Sequence, residues 1–243
     1  MILVMGEIEE PMIEDLLDEL EERDADFRHL APVDFQDHLS LSVGLGGVEG
    51  GLRWSDGEFL PWSKVKAIYN RFGFELVESD LDYSHAEEAF VSSEFMSAMN
   101  AVLNSISARV ANRPLASSTN ASKPYQTSLI QAAGFAIPET LVTSDAADAE
   151  EFFELHEGEV IFKSISYVRS IVKQMTSEDL DRLPALRTCP IQLQQMVPGI
   201  DHRVHVIGEQ VFAHRIQATE NDYRYDKEAE IVAHQLSQET EER

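Results

Sequence analysis

Apolar and polar residues alternate along residues 191–217, the most regular pattern in the chain. Val204 and Val206 precede a predicted two-residue turn at residues 208–209, and Val211 and Ala213 follow it. A period of two marks half-buried strands, and a glycine-containing turn of two residues joins antiparallel ones. The pattern therefore predicts a strand, a Pro-Gly turn and a β-hairpin.

The N-terminal third mixes strand and helix patterns. A short apolar run at residues 2–5 precedes residues 12–21, where apolar side chains recur at helical spacing. Further strands are predicted at residues 27–30 and 65–74, and an Asp-Gly pair at residues 56–57 predicts a hairpin. This order is typical of an α/β domain.

The longest helical pattern covers residues 89–110 and is stopped by Asn112-Arg113-Pro114. The acidic, polar segment before it, residues 80–88, is interpreted as a domain boundary. After it the sequence predicts, in order, a helix at residues 124–133, a strand at 141–143, a helix from 144 or 145 to 156, and strands at 160–163 and 171–175.

Composition narrows the classes of partner. The chain has 44 acidic and 19 basic residues and a formal net charge of -25. Such a field repels nucleic acid and anionic membranes, so neither is expected as a partner. Residues 109–243 hold 13 of the basic side chains, which favours an anionic ligand there, although adaptation to a salty cytoplasm would also explain the low lysine content.

The sequence contains few features that indicate disulfide formation, secretion or membrane insertion. Cys189 is the single cysteine, so no internal disulfide is expected, and we interpret it as an inert thiol. No signal peptide is recognised, and no apolar run approaches the roughly 20 residues of a membrane span. A cytoplasmic protein is therefore expected.

Charged residues are unusually dense on the predicted hairpin. They are Asp201, Arg203, His205, His214 and Arg215. A solvated sheet face is the simple alternative. The two histidines are expected to be structural or to face a substrate, because no cysteine or third histidine is spaced to complete a metal site with them.

Several short motifs occur in a characteristic order. They are Asn112-Arg113-Pro114, Asn120-Ala-Ser-Lys123-Pro-Tyr-Gln, Ala133-Gly-Phe-Ala-Ile-Pro-Glu-Thr140, Val160-Ile-Phe-Lys163 and Gln194-Gln-Met-Val-Pro-Gly-Ile-Asp201-His-Arg203. This ordered set, over roughly residues 65–226, resembles the ATP-grasp ligases. It is most similar to the branch containing the MvdC/MvdD-type peptide-macrocyclising ligases and the RimK-like glutamate ligases.

The resemblance implies an α/β architecture in two parts. Residues 1–85 would form the pre-ATP-grasp N-terminal α/β domain, and residues 86–243 would form the ATP-grasp region of two α+β subdomains. The small lid subdomain would lie at about residues 115–190, and residues 191–243 would form a C-terminally incomplete second subdomain.

The resemblance also implies a nucleotide site. Lys123 and Lys163 would bind the α- and β-phosphates of ATP, since an ammonium group is a compact charge suited to phosphate. Either could instead be a surface lysine. Asp201 would bind the ribose, with a turn-capping role as the alternative. The residues expected to surround the adenine are Gln194, Gln195, Met196 and Val197, which an ordinary buried strand would also explain.

Three arginines complete the implied catalytic set. Arg203, Arg215 and Arg224 would neutralise the γ-phosphate and an acyl-phosphate, because a planar guanidinium can hold two oxygens at once. Asp222-Tyr-Arg224 is similar to the Asp-aromatic-Arg run of the macrocyclase branch.

Two features depart from the family pattern. The loop after the second lysine is usually rich in glycine, whereas residues 164–170 contain none. The family also continues with an Asp strand and a Glu-x-Asn strand that bind Mg²⁺. Because the sequence reaches Arg243 before such strands, the chain is expected either to be a fragment or a truncated form or to take its metal ligands from an unexpected position, and these ligands are unassigned.

The leading hypothesis is an ATP-dependent carboxylate-amine ligase that forms an amide through an acyl-phosphate, with a small-molecule or peptide carboxylate as substrate and with ATP and Mg²⁺. A second hypothesis is a non-catalytic nucleotide-binding or partner-binding protein that kept the scaffold. A plain α/β module without nucleotide is the third. The oligomeric state is open, with a homodimer among the alternatives.

Overall fold

A computed structural model describes residues 1–45, 49–73, 83–166, 172–218 and 228–241. The chain divides into two compact units, Met1–Ser118 and Thr119–Arg243. This division falls later than the expected boundary at residues 85–86. The reason is that the long helix beginning at His85 packs into the core of the first unit.

The first unit is built from short strands and helices. In chain order these are β1 (Ile2–Met5), α1 (Pro11–Glu22), β2 (Phe27–Leu30), α2 (Asp34–Asp37), β3 (Leu39–Ser42), β4 (Gly51–Trp54), β5 (Phe59–Pro61), a 3-10 helix (Trp62–Lys64), β6 (Ala67–Asn70), α3 (His85–Ser105), β7 (Arg109–Ala111) and α4 (Pro114–Ser117).

A parallel sheet in the order β2-β1-β6-β7 forms the centre of this unit. Successive residues of β1 point to opposite faces of the sheet, and each face is covered by a helix. Val4 shares a buried cluster with Ile13 of α1. Leu3 shares another with Met99 and Leu103 of α3. The apolar run at the N-terminus is therefore a central strand, as its lack of alternation indicates.

The Asp-Gly hairpin predicted at residues 56–57 is confirmed. Strands β4 and β5 pair antiparallel across it, and β3 adds to the other side of β4. Gly57 has a φ of +94°, a backbone conformation that side chains disfavour, so glycine suits this turn.

Helix α3 ends five residues earlier than the helical pattern suggests, at Ser105 rather than Val110. Residues Arg109–Ala111 instead pair in parallel with β6 as the edge strand β7. The guanidinium of Arg113 donates hydrogen bonds to the carbonyls of Leu103, Ile106 and Ala108. These bonds satisfy carbonyls that the end of the helix leaves without intrahelical partners.

The second unit follows a short 3-10 helix (Ser118–Ala121). Its elements in chain order are α5 (Lys123–Ala132), β8 (Thr140–Thr143), α6 (Ala146–Leu155), β9 (Val160–Lys163), β10 (Lys173–Gln174), a 3-10 segment (Ser177–Arg187), β11 (Ile191–Gln195), β12 (Asp201–Ile207), β13 (Gln210–Gln217), β14 (Glu230–Ala233) and α7 (Gln238–Glu241).

An antiparallel sheet in the order β10-β9-β11-β8 forms the first half of this unit. One face is apolar, where Val160 and Leu193 cluster with Phe152 of α6 and Leu186 of the 3-10 segment. Because side chains alternate along a strand, the neighbouring residues of β9 and β11 project from the opposite face. That face carries most of the polar side chains discussed below.

A second antiparallel sheet, β12-β13-β14, forms the other half. The predicted hairpin is confirmed, with Ile207 paired to Gln210 across the turn and Asp201 paired to Ile216 at the far end. Among the helices of the described ranges, none is both long enough and apolar enough to cross a bilayer.

Candidate active site

A cleft of about 770 Å³ lies in the second unit, bordered by strands of both of its sheets. Its described lining residues are Ile161, Val172, Met196, Val197, Pro198, Gly199, Ile200, Asp201, Arg215, Ile216, Gln217, Ala218, Glu228 and Glu230. The cleft combines apolar side chains with a larger area of polar and charged surface, which suits a polar small molecule.

The segment from β11 to β12 supplies much of the apolar wall. The backbone N–H of Met196 donates to the carbonyl of Glu159 at 2.9 Å, and that of Gln195 donates to the carbonyl of Glu139 at 2.9 Å. These bonds fix the end of β11, so Met196 and the exposed Val197 are presented to the cleft. A planar aromatic ligand group could pack against such a surface.

Lys163 occupies the last position of β9, where it is half buried. Its Nζ donates a hydrogen bond of 2.9 Å to Oε1 of Gln194. The amide Nε2 of Gln194 in turn donates to Oγ1 of Thr140 at 3.1 Å. The side chain of Gln194 therefore holds this lysine. Neither Gln194 nor Gln195 is among the described residues that line the cleft, and contact of their backbone with adenine stays a prediction.

Lys123 is the first residue of α5 and approaches the end of β9 from another element. Its backbone N–H donates to the carbonyl of Ile165 at 3.1 Å. Its ammonium donates to the carbonyl of Ser166 and to Oγ of Ser164 at 3.3 Å. The helix start and the segment after β9 are thus tied together, which brings the two predicted lysines to one place.

The proximity of Lys123 affects the titration of Lys163. Burial lowers the pKa of Lys163, and the positive charge of Lys123 lowers it further. Two ammonium groups gathered in a partly desolvated position repel one another, and an anion placed between them would relieve this repulsion. The arrangement therefore fits a polyanionic ligand such as a triphosphate.

Replacing Lys123 by methionine is expected to raise the pKa of Lys163 because it removes a neighbouring positive charge. Burial remains in the variant, so the pKa should still lie below the ordinary lysine value. An NMR titration of isotope-labelled lysine side chains measures this, since the chain has only six lysines. Lys173→Met, at an exposed position on β10, is the control, and an unchanged Lys163 pKa in the Lys123 variant would show that the two charges are not coupled.

The predicted arginines are placed differently. Arg203 on β12 pairs with His214, so Arg203 and Arg215 project from opposite faces of the hairpin. Arg215 lines the cleft, and its Nε is buried without a hydrogen-bond partner in the described part of the chain. Arg203 is exposed and is not among the described lining residues. Arg224 lies outside the described residues.

A buried guanidinium N–H without an acceptor is costly. Arg215 also lines the cleft, where its positive charge can attract an anionic group. Asp201, the first residue of β12, lines the same cleft and can accept hydrogen bonds from a hydroxylated ligand. The glycine-free segment is described only as far as Ser166, whose carbonyl accepts from Ser164 Oγ at 3.0 Å, while Arg169 and Ser170 lie outside the described ranges.

The cleft contains candidate ligands for magnesium. Asp201, Glu228 and Glu230 all line it, and carboxylates are suitable ligands. Among the residues that the structure describes, however, no three His, Cys, Asp or Glu side chains are grouped closely enough to hold an ion.

Gln192 is a buried polar residue on the same face of the sheet as Lys163, its direct cross-strand partner. It is fully buried, and within the described ranges neither atom of its amide has a hydrogen-bond partner. Such a group costs roughly 1–3 kcal/mol relative to a satisfied or apolar one. This position could not be recognised from the sequence, since glutamines are frequent along the strand.

Replacing Gln192 by leucine, which has a similar volume, is therefore expected to increase the free energy of unfolding by about 1–3 kcal/mol. Urea denaturation at equilibrium should show a higher midpoint with an unchanged slope. A lower midpoint would mean that the amide is satisfied in solution, for instance by an ordered water.

The chain can be compared with known proteins. Neither models of protein families nor curated proteins give a match. Solved structures do give matches. The ATP-grasp ligase PsnB complexed with a minimal precursor is 26% identical at a TM-score of 0.82, over 99% of this chain and 78% of that one. The macrocyclase MdnC from Microcystis aeruginosa MRC, bound with the precursor peptide MdnA, is 20% identical at a TM-score of 0.84, over 100% and 81%.

A RiPP-associated ATP-grasp ligase from Chryseobacterium gregarium, in complex with ADP and a leader and core peptide, gives a TM-score of 0.80 at 18% identity, over 99% of this chain and 78% of that one. The fold is thus that of the ATP-grasp ligases. The resemblance to the peptide-macrocyclising branch of the ATP-grasp ligases, predicted from the sequence, is confirmed.

Proposed function

We propose that this protein is an ATP-dependent ligase that joins a carboxylate to an amine on a peptide substrate. The observation that supports this most directly is the gathering of Lys123 and Lys163, from two different elements, in the unit whose cleft is lined by Arg215. The structural neighbours add support, since they include ligases in complexes with nucleotides and precursor peptides.

Each residue would have a defined task in nucleotide binding. Met196 and Val197 would pack against the adenine, and Asp201 would accept hydrogen bonds from the ribose. The ammonium groups of Lys123 and Lys163 would neutralise phosphate oxygens. Magnesium would add further charge neutralisation, as the PsnB complex with Mg and ADP suggests, although its ligands in this chain are unassigned.

The reaction would proceed in two steps. The γ-phosphoryl group of ATP passes to a carboxylate oxygen of the substrate, and ADP leaves. An amine nitrogen then attacks the acyl carbon, the C–O bond to phosphate breaks, and the nitrogen loses a proton to give an amide. Arg215 would stabilise the negative charge on the transferred phosphoryl group, the main electrostatic demand of this chemistry.

The substrate would be a peptide with acidic and amine side chains, which would form a lactam within one chain. Incubation of the protein with ATP, Mg²⁺ and a panel of synthetic peptides containing Asp or Glu together with Lys tests this. The expected result is ADP release that depends on the peptide, accompanied by the loss of one water from the peptide mass.

The control reaction uses the same peptides with each carboxylate replaced by its amide, which cannot accept the phosphoryl group. ATP binding without ADP release for any peptide would instead support the second hypothesis, a nucleotide-binding protein without turnover. Failure to bind ATP at all would contradict both.

A further inference from the structure

The amide of Gln194 bridges two side chains and has a defined orientation. The hydroxyl of Thr140 donates to the carbonyl of Pro138 at 2.9 Å, so its oxygen is left to accept. The amide nitrogen of Gln194 donates to that oxygen, and the amide oxygen consequently faces the ammonium of Lys163. The network thus presents an acceptor, rather than a donor, to the lysine.

The register of the strands shows that this contact is selective. Gln192 is the residue directly opposite Lys163 on β11, yet its amide is unpaired. Lys163 instead reaches diagonally to Gln194, whose direct partners are Thr140 and Ile161. Because Ile161 lines the cleft, this diagonal contact directs the ammonium along the sheet toward the cleft, although Lys163 itself is not among the described lining residues.

We infer that Gln194 is a positioning residue, which holds the ammonium of Lys163 at the edge of the cleft where a nucleotide phosphate would bind; this inference rests on the proposed function. A neutral carbonyl is suited to this task. It accepts a hydrogen bond from the ammonium and compensates for part of its desolvation, but it leaves the positive charge available for phosphate. A carboxylate would compete with the phosphate for the same charge.

The first test titrates Lys163 directly by NMR in the protein without nucleotide. Gln194→Leu should lower the pKa of Lys163 further, because the charged form loses its acceptor. Gln194→Glu should raise it, because a negative charge favours the ammonium. Thr140→Val should shift it in the direction of Gln194→Leu by a smaller amount, since the amide loses its orienting partner, and Thr140→Ser should restore it.

Gln192→Leu is the matched control, since it removes an amide from the same strand and the same face. The pKa of Lys163 should be unaffected by it. A purely structural role of Gln194 would not produce shifts of opposite sign for leucine and glutamate. If Gln194→Leu unfolds the protein, the Thr140 pair still tests the inference.

The second test measures ATP affinity by calorimetry over a range of pH. Both Gln194 variants should bind about tenfold more weakly near neutral pH, consistent with the loss of one well-placed charged contact. Affinity should fall as pH rises and Lys163 loses its proton. That alkaline loss should begin at lower pH in Gln194→Leu and at higher pH in Gln194→Glu.

An unchanged Lys163 titration in Gln194→Leu, or an equal shift in Gln192→Leu, would overturn the positioning role.

The ligase proposal and the positioning role of Gln194 can fail independently of each other. If the titrations respond as expected but the wild-type protein binds no ATP, the hydrogen-bond arrangement stands and the ligase proposal is wrong. If ATP binds with unchanged affinity in both Gln194 variants, the ligase proposal stands and the positioning role is wrong.

Discussion

Replacing Lys163 by methionine is expected to lower the affinity for ATP by about 100-fold near neutral pH. Lys163 is half buried at the end of β9, and its ammonium is held by Gln194. Truncating one member of a partly desolvated charge pair commonly costs 2–5 kcal/mol, and each 1.4 kcal/mol corresponds to a factor of about ten in affinity. Isothermal titration calorimetry measures the difference.

Lys173→Met is the matched control for this measurement. Lys173 lies on the neighbouring strand β10, where its backbone pairs with Phe162, and its side chain is exposed. Removing it changes the net charge equally and should alter the affinity less than about twofold, since exposed charges are screened by solvent and salt. Equal losses in the two variants would show that only overall charge matters.

Replacing Arg215 by methionine is expected to lower the rate of ADP formation by about 100- to 1,000-fold, with a much smaller effect on ATP affinity. A guanidinium that contacts the transferred phosphoryl group acts most strongly in the transition state, and removing one such donor typically has an effect of this size. Steady-state kinetics with an active peptide separates the turnover number from the Michaelis constant.

Two further variants test whether the effect is specific to Arg215. Arg187→Met removes an exposed arginine of the 3-10 segment and should leave the rate unchanged. Arg203→Met removes the arginine on the opposite face of the hairpin, and its rate should fall less than that of Arg215→Met. A large loss for Arg203 with none for Arg215 would contradict the assignment based on strand register.

Much of the second unit could be predicted from its sequence because the signals are local. The alternation along residues 191–217 predicted β11, β12 and β13, and the structure confirms them. A lysine at a helix start and another in a short apolar strand were recognised by their order in the chain. Both lie where the sequence placed them, at the start of α5 and the end of β9.

The role of Gln194 could not be predicted because it depends on a distant partner. Its amide is oriented by Thr140, a residue 54 positions earlier, through the pairing of β8 with β11. Propensity and periodicity contain no information about which strands become neighbours. The same reason explains the error at residues 109–111, where pairing with β6 overrode the continuing helical pattern.

The opposite faces of Arg203 and Arg215 could have been predicted. A two-residue turn at residues 208–209 pairs 207 with 210, and therefore 203 with 214. Since side chains alternate along a strand, the residue after 214 must project from the other face. The predicted turn alone is therefore sufficient to place the two arginines on opposite faces of the hairpin.

Photoaffinity labelling with an azido-adenosine triphosphate tests the central claim most directly, because it reports where the nucleotide binds. After irradiation and proteolysis, peptide mass spectrometry should find the label on the cleft wall at residues 196–200, and excess ATP should abolish it. Label confined to Met1–Ser118, or label at residues 196–200 that persists in excess ATP, would contradict a nucleotide site in this cleft.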